Sequence, residues 1–228
     1  TISRKLSIDG GEVLATSISV PEGDVRGGRL HLAMSESDLR GDWQISGGEV
    51  QIVMPKFVSK ILGSWSVSGG EAHIVTSGSE VTLQGDLLVS DGEVRVDSGM
   101  EGKYTTVDFE GNVQVRGGEI SAANASLDFQ GDFGMSGGEM NAANASLAFQ
   151  DYVQTGGSLV SGPDREFLVK GKFQLLGGDF NRFTGTGTPN SPYLVYGSYG
   201  LQAMDLTSNL DKHFVLARDI DLSPASSW

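Results

Sequence analysis

The sequence contains no cysteine. That excludes a disulfide framework, thiolate metal sites and a cysteine nucleophile, and leaves stability to packing and backbone pairing. It also lacks any basic run: 16 Lys and Arg against 29 Asp and Glu give a formal charge of −13. This balance argues against nucleic acid or an anionic membrane surface as a partner. No apolar stretch approaches the ~20 residues of a membrane helix, and Thr1-Ile2-Ser3-Arg4 lacks the apolar core of a signal peptide. With a well-formed pattern at Asp219-Ile220-Asp221-Leu222 close to the last residue, the chain reads as a piece cut from a longer protein. Only 38% of residues are hydrophobic, which suits a stack of short turns better than a compact globule.

What the chain has in abundance is glycine, 33 of 228 residues. Glycine pairs, with Asp91 replacing the first member once, end at Gly11, Gly28, Gly48, Gly70, Gly92, Gly118, Gly138, Gly157 and Gly178, and the spacings are 17, 20, 22, 22, 26, 20, 19 and 21 residues. The mean of about 21 lies in the solenoid range. Three residues before the second glycine stand Ile8, Val25, Ile45, Val67, Val89, Val115, Met135, Gln154 and Leu175, apolar but for Gln154. Two positions earlier stand Leu6, Gly23, Trp43, Trp65, Leu87, Val113, Phe133, Tyr152 and Phe173. Two residues after the glycine the position is apolar throughout: Val13, Leu30, Val50, Ala72, Val94, Ile120, Met140, Leu159 and Phe180.

Apolar residues at a spacing of two on both sides of a glycine pair describe two short strands meeting at a sharp corner, each with one face turned inward. Glycine suits the corner because it reaches positive φ without the ~1–2 kcal/mol that a Cβ adds. The remainder of each repeat holds a third alternating stretch, as in Ser79-Glu80-Val81-Thr82-Leu83 and Ala125-Ser126-Leu127-Asp128-Phe129. Single repeats cannot bury their inner faces, whereas stacked ones pair every strand above and below. The expected fold is therefore all-β, a right-handed parallel β-helix with about 20–22 residues and three strands per coil. Nine or ten coils at ~4.8 Å each make a monomeric rod on the order of 45 Å long. A β-sandwich would not repeat the same corner at each step. The duplication GGEISAANASLDFQ (117–130) and GGEMNAANASLAFQ (137–150), identical at 11 of 14 positions, sets the coil length there at 20 residues.

Several residues invite a chemical reading. Glu12, Glu49, Glu71, Glu93, Glu119, Glu139 and Asp179 follow the glycine pair and stack in register as a carboxylate column. They read as solvated turn acids that keep the rod soluble; the alternative is a weak divalent-cation ladder through Glu49, Glu71, Glu93, Glu119 and Glu139. The Gly-Asp pairs Gly41-Asp42, Gly85-Asp86 and Gly131-Asp132 read as turn formers, with a polysaccharide-cleaving acid group as the alternative. His31, His73 and His213 are far apart and without paired ligands, and His31 and His73 fall at outward, exposed positions. Trp43 and Trp65 fall at the same inward position in adjacent coils and read as stacked core aromatics. Asn124-Ala125-Ser126 and Asn144-Ala145-Ser146 are glycosylation sequons, or else an internal amide ladder with Asn124 over Asn144. No catalytic residue and no cofactor is expected.

The last 45 residues depart from the repeat. They read as a glycine-rich turn (184–188), a short strand (191–195), a helix-like turn presenting Leu201 and Met204, and a final strand (214–223), all able to cap or continue the stack. This divides the chain into glycine-cornered coils over 1–182 and a continuing or capping coil over 183–228. The order GTGT, SPYLV, GLQAM, FVLARDIDLS resembles the recurring segment of filamentous-haemagglutinin-like exoproteins exported by two-partner secretion. The resemblance covers about a fifth of the chain. It implies a Gram-negative cell-surface or secreted location, an outer-membrane secretion partner, and attachment to a host-cell, bacterial or matrix receptor. It raises the sequon reading of Asn124 and Asn144 and transfers no catalytic residue. A β-helical polysaccharide-active enzyme and the stalk of a contact-dependent toxin delivery protein are the alternatives.

Overall fold

A computed structural model describes residues 5–16, 19–34, 38–54, 58–76, 80–98 and 104–227; Thr1 to Arg4, Ser79 and Trp228 lie outside these. The chain is a parallel β-solenoid of about nine turns, with about 21 residues per turn. Among the described residues seventeen strands join in one sheet whose pairings are all parallel. Each full coil contributes a strand before the glycine corner, a strand after it, and a third strand that closes the triangle.

Register turns these strands into three inward columns. Before the corner, Trp43 pairs with Trp65, then Leu87, Val113, Phe133, Tyr152 and Phe173 follow coil by coil. After it run Val50, Ala72, Val94, Ile120, Met140, Leu159 and Phe180. The third column is Leu39, Ile61, Leu83, Phe109, Phe129, Phe149 and Val169. Nearly all of these side chains are buried, each aromatic or branched one contributing roughly 1.5–3 kcal/mol of hydrophobic stabilisation. Phe129 stacks on Phe109 and Phe149 at 4.7 and 4.8 Å between ring centroids. That distance is the coil rise itself, so identical residues at identical positions form a ladder.

The corner works as the glycine periodicity predicts. All nine second glycines have φ between 67° and 83°. Stacking adds a second demand, since a Cβ on Gly48 would fall 2.5 Å from the Gly28 carbonyl oxygen in the coil below.

The exceptions in the columns have local causes. Gly23 lies under Trp43, and a Cβ there would overlap the indole ring. Gln154 is fully buried yet satisfied: it accepts the Tyr152 hydroxyl at 2.7 Å and donates to the carbonyls of Gly157 (3.2 Å) and Asp179 (3.0 Å). Burial pushes the Tyr152 phenol well above its usual range, so it stays a donor. Trp43 and Trp65 are buried neighbours in adjacent coils, as expected, but their rings are tilted by 40° at 6.2 Å rather than stacked, and their indole N–H groups have no partner among the described residues.

The solenoid sheet ends with the strand Asp179–Asn181. Beyond it, Tyr193–Val195 and Phe214–Leu216 pair in parallel as a separate two-stranded sheet. Between them the helix Ser198–Ala203 covers the last coil. Tyr199 sets its ring edge against Phe167 and Phe173, at 4.9 Å each, and its hydroxyl accepts the Val169 N–H at 2.9 Å. A side chain thus satisfies a donor that would otherwise need another coil. The helical turn forms where expected, but the apolar side chains it and the following turn bury are those of Tyr199, Ala203 and Leu206, while Leu201 and Met204 are only half-buried.

Candidate functional site

Residues of the strands before the corner, the inward Trp43, Trp65 and Leu87 among them, line a groove of about 600 Å³. Its back edge is a second corner, marked by Gly41, Gly63, Gly85, Gly111 and Gly131, each followed by a short polar residue. A Cβ on Gly131 would come 2.5 Å from the Gly111 carbonyl oxygen, so this is a glycine column of its own. The polar residues bond upward. The Ser64 N–H donates to Asp42 Oδ1 (2.7 Å), Asp86 N–H to Ser64 Oγ (3.2 Å), Asn112 N–H to Asp86 Oδ1 (2.8 Å) and Asp132 N–H to Asn112 Oδ1 (3.0 Å). One coil further on, Lys172 N–H donates to Asp151 Oδ1 at 2.8 Å.

Of the three Gly-Asp pairs, Asp42 and Asp86 are therefore turn formers of a specific kind, acceptors for the backbone of the next coil, while Asp132 joins the ladder through its own N–H, donated to Asn112. Ser64 and Asn112 belong to the same ladder. Their signal was a glycine followed by Asp, Ser or Asn at coil spacing. A carboxylate held by an amide donor one coil away is a positioned acceptor, with one oxygen already engaged. Beside this ladder, Gln44, Ser66, Gln114 and Arg116 present amide, hydroxyl and guanidinium groups to the groove.

After the corner, the carboxylates do stack: Glu49, Glu71, Glu93, Glu119 and Glu139 are in register. Arg29 occupies the same column between Glu12 and Glu49, with its Nε 2.8 Å from the Glu49 carboxylate. Arg95 lies beside the column and bonds Asp97 at 2.6 Å. Asp97 first, then Glu93 and Glu71, raise the Arg95 guanidinium further above its usual range. The Ser121 hydroxyl donates to Glu93 at 2.7 Å. Partial burial, then the charges of Glu93 and Glu139, push the Glu119 carboxyl up against the opposing pull of Arg95. Among the described residues no group of three or more His, Asp or Glu side chains is placed to hold a metal ion.

Comparison with known families, curated proteins and solved structures gives no match. The site therefore rests on its own geometry.

His31 and His73 point outward but are half-buried rather than exposed, and His73 Nε2 lies 3.0 Å from Asp97 Oδ2. Ring burial comes from the flanking coils, which a single repeat does not reveal. Asn124 and Asn144 are both exposed at the turn into the third strand, and Asn124 has a positive φ of 52°. The internal amide ladder does not form. Asn tolerates this left-handed turn better than most residues, and both side chains lie on the outside of the solenoid.

Proposed function

We propose that this chain is a structural and adhesive segment of a bacterial cell-surface or secreted exoprotein, supporting attachment to cells, matrix or surfaces. The observation that carries this reading is the ladder from Asp42 to Asp132, in which the side chains of Asp42, Ser64, Asp86 and Asn112 each accept the backbone N–H of the next coil. Such residues lengthen and stiffen a stack. The resemblance of the last 45 residues to filamentous-haemagglutinin-like exoproteins supplies the adhesive half, together with export through an outer-membrane partner and display outside a Gram-negative cell. A rod rich in outward carboxylates, with a formal charge of −13, also resists self-association.

The test is attachment. Beads coated with the chain are expected to adhere to epithelial cells, bacteria or matrix proteins above beads coated with an unrelated acidic protein. Silence across all three would reduce the segment to a spacer. Turnover of an acidic polysaccharide, lost in Asp86→Asn or Asp132→Asn, would replace the proposal with an enzyme.

A further inference from the structure

Where the last coil meets the C-terminal segment there is a pocket of about 660 Å³. Phe167 and Tyr199 are buried against it, and Arg165, Arg182 and Arg218 converge on it with Tyr196. Arg182 is the most enclosed of the three. Its guanidinium lies 4.7 Å above the Phe167 ring centroid, donates from Nη1 to Ser161 Oγ at 2.6 Å and from Nη2 to the Arg165 carbonyl at 2.9 Å. Both acceptors are neutral. Arg218 packs over Tyr196 and donates from Nε to the Tyr196 carbonyl, while Arg165 donates to the Tyr104 hydroxyl.

None of these three arginines belongs to an ion pair among the described residues. Burial, reinforced by the like charge of Arg218, lowers the Arg182 guanidinium to about 10, so it remains a cation at neutral pH. Removing such a charge from water without a counter-ion is costly. The acids lining the pocket, Asp164, Glu166, Asp219 and Asp221, are all exposed. Asp221 is already engaged by the N–H and hydroxyl of Ser223.

We propose that this pocket binds the carboxylate of an acidic saccharide, with Arg182 and Arg218 as its anchors. The planar guanidinium fork matches a carboxylate in two parallel hydrogen bonds. The volume exceeds what a lone oxyanion needs and fits a small-molecule site. Exposed acids at the rim accept hydroxyl protons, which a sugar supplies and an inorganic anion does not. The chain's net charge of −13 opposes any anionic ligand at long range, so recognition is local and affinity modest. The site stands on its own geometry and not on the adhesive reading.

Calorimetric titration of the full 228-residue chain with digalacturonate, digalactose and sulfate tests it. Digalacturonate is expected to bind and to raise Tm with concentration, with digalactose silent and sulfate at least tenfold weaker. Arg218→Gln, at an exposed position, is expected to keep the wild-type Tm and weaken digalacturonate about tenfold or more. Arg182→Lys retains the charge, loses the fork and is expected to weaken binding similarly. Absence of digalacturonate binding, equal binding of digalactose or sulfate, or an unchanged affinity in Arg218→Gln would each overturn the proposal. Should Arg182→Lys fail to fold, Arg218→Gln decides. Bead attachment is read separately, so an empty pocket on an adhesive rod and a filled pocket on a passive one are distinct results.

Discussion

A single atom decides much at the corners. Gly48 combines a φ of 74° with the Gly28 carbonyl close beneath, whereas Gly10 has no atom within 4 Å of where its Cβ would stand. Gly48→Ala is expected to cost more than about 2 kcal/mol, the left-handed backbone accounting for ~1–2 and the contact for the rest. Gly10→Ala should stay within about 0.5 kcal/mol of wild type. Thermal denaturation of the two variants measures the contrast, and equal losses would mean that stacking is not what selects glycine. At the second corner, Asp86→Ala removes the acceptor for the Asn112 N–H and is expected to cost about 1 kcal/mol, while Asp86→Asn keeps an acceptor oxygen and most of the stability. Urea midpoints distinguish them. The glycine pairs were legible in the sequence because they repeat with little variation. The partners of Asp86 were less so, because Ser64 and Asn112 share an acceptor atom with aspartate and not a charge.

At the level of strands, periodicity read the inward columns well, since alternation and register depend only on spacing. It read the outward ones less completely. The glutamates stack as their spacing requires, and Arg29 shares their place after the glycine pair, but the pull of Arg95 on Glu119 follows from the three-dimensional register. Helix Ser198–Ala203 is too short for its sequence to display an amphipathic period, and docking of Tyr199 on the last coil sets which side faces inward.

Charge along these columns makes stability depend on pH with two opposite signs. Glu119 is raised by burial and by Glu93 and Glu139, and Asp108 by burial, Glu80 and Asp128. Ionised, they oppose the fold, so this cost is relieved as pH falls through their raised values toward the ordinary carboxylate range. Asp24 behaves in the opposite way. Burial alone would raise it, but hydrogen bonds from Lys5 and Arg26 outweigh burial and hold it below the usual range. Its contribution is present above the ordinary aspartate value and is lost as pH falls through the depressed one. Tm is therefore expected to rise as pH falls from neutrality toward the ordinary carboxylate range of about 4 and to fall again below it. Glu119→Gln should flatten the rise and leave the fall.

For the whole molecule, the duplicated segment makes the coil a removable unit. Deleting residues 119–138 joins Gly118 to Glu139 and leaves Phe109 to stack on Phe149, the contact each now makes with Phe129. The shortened chain is expected to keep its β circular dichroism and a cooperative transition, with a modestly lower Tm. Deleting ten residues from the same place would turn inward side chains out of register, and loss of the fold is the expected result. A ten-residue deletion that folded as well as the full-coil deletion would contradict the triangular coil.

The direction of the strands has a mechanical meaning. Since every strand lies across the stack and its hydrogen bonds run between successive coils, a pull on the two ends loads those bonds one rung at a time instead of in concert. The rod then yields by peeling, each released turn of about 21 residues paying out roughly 70 Å of slack. Drawn by its ends, the chain acts as a stepwise shock absorber rather than a rigid strut.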